Sequence, residues 1–313
     1  MLDKTQAIEK INNICKFNNY SLDEDVELFF RKRTKKLFTS ALVEFGTKVS
    51  IFRFAFGALI KSVQREVFLY KNRPDPIKNI LPELITCEID ENYAWLVYKY
   101  ITGEPLGNVY QFKNDTDFGL LLDALEKICK SSVENDTIEE AFDTMTEEGW
   151  IKLLNLIAGK SSALASNGKI ASIVKYLENC KKPNSKYYAH GDMHPGNIIL
   201  NEGKIKIIDW ESSHVSCYGF DLSFLYIRSY NDETRKRIIN LVEGQKEEDA
   251  YAFYYALNVN LLRDYFEWQL IKENINELMN KRDIINNASV PDIMDDLYKQ
   301  IVSNFSKLKE MEK

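Results

Sequence analysis

Asp192, Asn197 and Asp209 are the side chains best suited to chemistry in this 313-residue chain. The first two lie in Tyr188-Ala189-His190-Gly191-Asp192-Met193-His194-Pro195-Gly196-Asn197, the third in Lys204-Ile205-Lys206-Ile207-Ile208-Asp209-Trp210-Glu211. Pro195 and Gly196 force a turn, which folds Asn197 back beside Asp192. Apolar residues 198–200 and 205–208 flank Asn201-Glu202-Gly203. That is the pattern of a tight hairpin, and it brings Asp209 to the same end of the site. One carboxylate to act as base, with an amide and a second carboxylate to hold a hard cation, is the set that magnesium-dependent phosphoryl transfer requires. A solvated, Asp-rich hairpin is the plain alternative, but it does not account for both blocks together.

The elements that must position these residues fall into two groups. Residues 2–17 carry an apolar stripe at helical spacing. Three antiparallel strands are predicted over about 27–32, 37–45 and 48–55, then a helix over 57–72 that stops before Pro74. Two more strands follow, about 84–89 and 93–101, separated by Asp90-Glu91-Asn92. Beyond a link near 100–108 the periodicity becomes helical: 118–130, 137–156, 170–180, and nearly everything from Arg235 onward, with a break at Ser289-Val290-Pro291. In the third strand Ile51, Arg53 and Ala55 share one face, and Phe52, Phe54 and Phe56 the other. The three Phe are expected to pack against the core, turning Arg53 the other way.

Composition narrows the class. Hydrophobic residues are 45% and charged residues 28%, so a disordered or fibrous chain is excluded. No apolar run is long enough to span a bilayer and the first residues form no signal core, so a cytoplasmic protein without a membrane partner is expected. Cysteines 15, 87, 129, 180 and 217 are scattered without a Cys-x-x-Cys pair, which suits reduced thiols. Residues 28–73 hold eleven Lys or Arg against Glu44 and Glu66, a net charge of +9, so the rest carries −15 of the total −6. A basic segment suits phosphates, although a merely solvated face fits equally well. The acidic whole argues against a nucleic-acid partner. His190, His194 and His214 cluster without tetrahedral ligand spacing. His190 is expected to hold the loop by a hydrogen bond, the other two to pack or to rim the substrate.

His190-x-Asp192-x-x-x-x-Asn197 has the form in which protein kinases place a base and a metal-binding amide on one loop. Taken together, His190-Gly191-Asp192-x-His194-x-Gly196-Asn197 and Ile208-Asp209-Trp210-Glu211 resemble the aminoglycoside phosphotransferase and choline kinase superfamily. The resemblance implies an α+β, bilobal protein kinase-like fold. Residues 1–101 would form a small antiparallel β lobe that binds nucleotide. Residues 102–313 would form a larger, mostly helical lobe with the catalytic loop and the acceptor site. Asp192 would be the catalytic base, and Asn197 and Asp209 the ligands of Mg2+. Asp221, in Gly219-Phe220-Asp221-Leu222, would brace the loop together with His190. Arg53 would meet the phosphates of ATP or GTP, aligned by Glu66, with Lys61 as the rival cation. The Lys99 carbonyl and the Ile101 amide would hold the adenine.

Glu211, Asp264, Tyr265, Glu267 and Trp268 are the candidates for the acceptor pocket, where aromatics with carboxylates suit an amine or quaternary ammonium. Aromatics at helical spacing are, however, more often core. Cys217 and Tyr218 are further candidates for the cleft. One departure stands out: the turn Arg33-Thr34-Lys35-Lys36 has no glycine, so a Gly-rich phosphate cradle is missing. The expected function is an ATP- or GTP-dependent kinase acting on a hydroxyl of a cationic or polyhydroxy small molecule, such as an aminoglycoside, choline or a related amino alcohol. The alternative is an inactive nucleotide-binding module that acts through a protein partner, a reading favoured only by the glycine-free turn. A protein kinase is disfavoured, since no Asp-Phe-Gly to Ala-Pro-Glu segment is present.

Overall fold

The computed structural model describes residues 4–17, 41–46, 50–72, 75–109, 112–113, 118–129, 131, 144–159, 167–229, 232–273 and 290–312. The expected strand over 27–32 and the glycine-free turn 33–36 lie outside the described residues, as do 137–143 of an expected helix. The chain divides into two units, Met1–Glu104 with Ile199–Ser213, and Pro105–Ile198 with His214–Lys313.

In the first unit, β1 (Ala41–Gly46), β2 (Ser50–Phe56), β3 (Leu84–Ile89) and β4 (Tyr93–Lys99) form an antiparallel sheet in the order β1-β2-β4-β3. Alternation along β2 sorts its side chains between two helices. Phe52, Phe54 and Phe56 join Ala7, Ile11 and Ile14 of α1 (Lys4–Phe17) in one core cluster. Ala55 joins Val63 and Val67 of α2 (Ile60–Asn72) in the other. Across the β2–β4 register, Phe52 stacks on Trp95 with centroids 5.9 Å apart, and Phe54 on Tyr93 at 5.8 Å. Arg53 is thereby placed on the face that α2 covers.

The same unit holds the hairpin of β7 (Ile198–Asn201) and β8 (Lys204–Ile207). Glu202 and Gly203 both have positive φ, 47° and 73°, as a two-residue type I′ turn demands. Two backbone carbonyls, of Asn79 and Leu81, accept from Lys206 Nζ at 2.8 and 2.9 Å, and Ile207 N–H donates to Ile80 O at 2.8 Å. These bonds reach the segment after the short helix α3 (Asp75–Lys78), where Ile77, Ile80 and Leu81 are buried. The sequence reading assigned residues 199–213 to the second lobe; their hydrogen bonds and packing are with the first unit.

The second unit is mostly helical. It contains α4 (Phe118–Cys129), α5 (Glu147–Gly159), α6 (Gly168–Asn179), α7 (Phe220–Arg228), α8 (Asp232–Glu243), α9 (Glu247–Glu273) and α10 (Val290–Met311). A two-stranded antiparallel ribbon pairs β6 (Tyr187–Ala189) with β9 (His214–Ser216). α9 is buried nearly all round from Ala252 to Leu262, as expected of a central helix. Fully buried Trp150 of α5 meets Tyr255 edge-on at 5.2 Å and Phe220 at 5.9 Å. α7 is an element that the sequence reading did not anticipate; its nine residues are all buried, so no amphipathic stripe marks it.

Candidate active site

One cluster is assembled inside the first unit around Arg53, whose side chain is 1% exposed. Nη1 donates to Glu66 Oε2 at 2.7 Å and Nη2 donates to Glu211 Oε2 at 2.7 Å. Asp209 Oδ1 stands 3.0 Å from Nη2. Burying a guanidinium is costly unless carboxylates surround it, and here three do. Of the three acids, Asp209 keeps the most exposure, 32% against 0% for Glu66 and 11% for Glu211. Its backbone is left-handed, at φ 64° and ψ 55°, although it is not glycine. Such strain costs of order 1–3 kcal/mol and persists where the surroundings impose it. Here β8 leads in, and the single 3-10 turn Trp210–Ser212 leads out. Buried Trp210 pins that turn by donating from its indole N–H to Ile207 O at 2.8 Å. Lys61, the rival of Arg53, is exposed on α2. Lys99 ends β4; its N–H donates to Glu83 O at 2.8 Å, and Ile101 follows in the irregular segment before Gly103.

A second cluster is assembled inside the second unit. His190 N–H donates to Asp221 Oδ2 at 2.7 Å and Gly191 N–H to Oδ1 at 3.1 Å, so one buried carboxylate clamps two successive amides of the loop. Burial pushes the Asp221 carboxyl upward, against the downward pull of His190 and the two amide donors. Asp192 N–H donates to His190 Nδ1 at 3.2 Å. Asn197 Nδ2 donates to the Asp192 carbonyl at 3.1 Å, which orients the amide so that its oxygen points away from that bond. His194 Nδ1 accepts from Gly196 N–H at 3.1 Å, capping the turn Pro195–Asn197. Its Nε2 lies 3.9 Å from Asp192 Oδ2. The loop is thus tied at both flanks, while the Asp192 side chain itself remains 54% exposed.

The expected acceptor-pocket residues fall in both units. Glu211 is in the Arg53 cluster. Asp264 is buried in an ion pair with Arg228, Trp268 is 2% exposed, Tyr265 faces Tyr298 with ring centroids 6.4 Å apart, and Glu267 is exposed. Cys217 and Tyr218 are buried as well. Burial pushes the Cys217 thiol up to about 12, so it is no nucleophile at neutral pH. The partners of Glu211 and of His194 went unread in the sequence. The spacing Asp209-x-Glu211 was the available signal for the first, since a single turn sets both acids on one side. Among the described residues, no three His, Cys, Asp or Glu side chains converge as a metal site, and no helix is long and apolar enough to cross a membrane.

With this geometry in hand, the comparisons define the class. The model of the phosphotransferase enzyme family, APH, matches residues 74–257, more than half of the chain. The chain belongs to that family. Its fold is that of the aminoglycoside phosphotransferases and of choline kinase. It is similar to the GDP complex of aminoglycoside 2'-phosphotransferase-IIIa, at 12% identity and TM-score 0.60, over 96% of this chain and 99% of that one. Choline kinase LicA from Streptococcus pneumoniae is similar at 14% identity and TM-score 0.54, over 95% and 98%. The GDP and kanamycin complex of APH(2")-IIIa gives 13% identity and TM-score 0.56, over 95% and 99%. No curated protein sequence matches the chain.

Proposed function

We propose that the chain is a nucleotide-dependent small-molecule kinase that transfers the γ-phosphoryl group of ATP or GTP to an acceptor hydroxyl. The observation that carries this reading is the loop 190–197, in which an exposed carboxylate, Asp192, sits on a backbone held by Asp221 on one side and Asn197 on the other. A base must be presented in a fixed place, and positioning supplies most of the catalysis in phosphoryl transfer. Asp192 accepts the proton of the attacking hydroxyl. The His194 ring stands beside that carboxylate, with Nε2 3.9 Å from Oδ2.

By residue type, Asp209 and Asn197 would suit a magnesium ion. Asp209 is the accessible carboxylate of its cluster, and the Asn197 amide is turned with its nitrogen toward Asp192, which leaves the oxygen as donor. One or two such ligands, completed by water and phosphate oxygens, are what this ion takes from a protein. When bound, magnesium neutralises the charge that builds on the phosphates. Arg53, with Glu66 and Glu211, holds the charge balance around Asp209, and the Lys99 carbonyl and Ile101 amide serve the base of the nucleotide. The first unit is the nucleotide-binding part, and the second carries the base and the acceptor site.

The acceptor is a cationic or polyhydroxy compound. The acidic balance of residues outside 28–73 attracts a cation, and the structural neighbours include an enzyme bound to kanamycin and a choline kinase. The test is acceptor-stimulated consumption of ATP and of GTP, with magnesium, across aminoglycosides, choline, ethanolamine and homoserine. At least one acceptor is expected to stimulate. Tight nucleotide binding with no stimulation by any of them contradicts the proposal.

A further inference from the structure

Gly196 lets the His194 ring lie against the loop. A Cβ at that glycine would meet ring atoms Cε1 and Nδ1 at 3.0 Å. Nδ1 accepts from Gly196 N–H at 3.1 Å. A neutral imidazole that accepts at Nδ1 carries its proton on Nε2. That nitrogen is the one beside the base, 3.9 Å from Asp192 Oδ2. The ring's donor and the base thus stand side by side. We propose that His194 orients the acceptor hydroxyl, donating from Nε2–H to the oxygen whose proton Asp192 Oδ2 takes. The proposal rests on the functional reading above, in which Asp192 is the base.

The separation carries the argument. A direct N–H···O bond spans about 2.7–3.2 Å, so at 3.9 Å Nε2 and Oδ2 are not bonded to each other. One oxygen about 2.8 Å from each bridges them with an angle of about 90° at that oxygen. A hydroxyl suits that place, since it donates one hydrogen and accepts at two lone pairs. Its hydrogen points at Oδ2, one lone pair takes Nε2–H, and the other is left for the phosphorus. As the new O–P bond forms and the bond to the leaving diphosphate breaks, the proton passes to Asp192 and Nε2 keeps its own. Fixing the hydroxyl in this way is the positioning on which phosphoryl transfer depends. A carboxylate alone, turning about its side-chain bonds, would not set the direction of the attacking lone pair.

The test is steady-state kinetics with magnesium and ATP or GTP in the parent, His194→Asn and His194→Gln, using kanamycin, choline, ethanolamine and homoserine as acceptors. The Asn side-chain oxygen takes the place of Nδ1 and keeps the bond from Gly196 N–H, but it offers no donor where Nε2 stood. The Gln amide nitrogen reaches about as far as Nε2. His194→Asn is expected to lower kcat/KM for the acceptor about fivefold, the worth of one hydrogen bond, with nucleotide affinity unchanged in calorimetry. His194→Gln is expected to keep more of it. A purely structural role in the turn predicts the reverse order. His194→Asn with the parental kcat/KM, or His194→Gln losing as much as His194→Asn, overturns the proposal. Should His194→Asn not fold, His194→Gln decides, and a loss beyond about fivefold overturns it. A parent that phosphorylates none of the four acceptors overturns the functional reading and this proposal with it, which distinguishes the two failures.

Discussion

A guanidinium removed from water survives only among anions, and Arg53 has three within 3.0 Å. Arg53→Ala leaves Glu66 buried without that cation, so it is expected to cost about 3–5 kcal/mol of stability. It should also raise the Michaelis constant for nucleotide. Lys61→Ala, at an exposed position, should stay within about 0.5 kcal/mol and leave nucleotide affinity alone. Denaturant titration and initial-rate kinetics of the two variants check this; the reverse order would move the phosphate role to Lys61. Asp209→Ala removes the accessible acid of the cluster, and magnesium should then no longer promote nucleotide binding in calorimetry. At this scale the sequence was legible where residue type alone decides. Asp192, Asn197 and Asp209 stand out in the sequence because carboxylate, amide and spacing suggest their chemistry. The bond from Arg53 to Glu211 was not legible, because nothing local says that this carboxylate turns to an arginine 158 positions away.

At the scale of elements, alternation in β2 was readable because a half-buried strand must sort its faces, and the three Phe lie under α1. Phe54→Ala opens a cavity in that cluster and is expected to cost about 3–5 kcal/mol, measured by equilibrium unfolding. Gly103 is required by geometry. Its φ is 142°, and a Cβ there would meet Leu200 O at 2.4 Å, where Asn201 Nδ2 also bonds Thr102 Oγ1 at 2.9 Å. Asp221→Asn leaves one loop amide without its acceptor and should cost about 1–3 kcal/mol, with turnover falling further than stability explains, because the loop that presents Asp192 loosens. Less of the helical unit was legible. Buried all-round helices carry no stripe, so α7 was not foreseen. In α9, aromatics at helical spacing proved to be core: Phe253, Tyr255 and Trp268 are buried, and Asp264 is held by Arg228. Spacing reports which residues share a face, not whether that face meets a ligand or another helix.

For the whole molecule, the five cysteines give a direct readout of the described packing. Cys15, Cys129, Cys180 and Cys217 are buried, and only Cys87 is partly accessible. Burial also pushes the Cys15 thiol up to about 11, so near neutral pH a thiol reagent should modify Cys87 first and the others only on unfolding; rapid loss of all five would contradict the packing. Family membership and fold leave the chemistry itself to be tested, and the most direct measurement is mass analysis of acceptors incubated with the protein, magnesium and ATP or GTP. A cationic or polyhydroxy acceptor should gain one phosphoryl group, and Asp192→Asn should lower that rate by roughly 10²-fold or more with nucleotide affinity nearly unchanged. Phosphorylated product formed equally fast by Asp192→Asn, or none from any acceptor in a protein that binds nucleotide, would contradict Asp192 as the base of a small-molecule kinase.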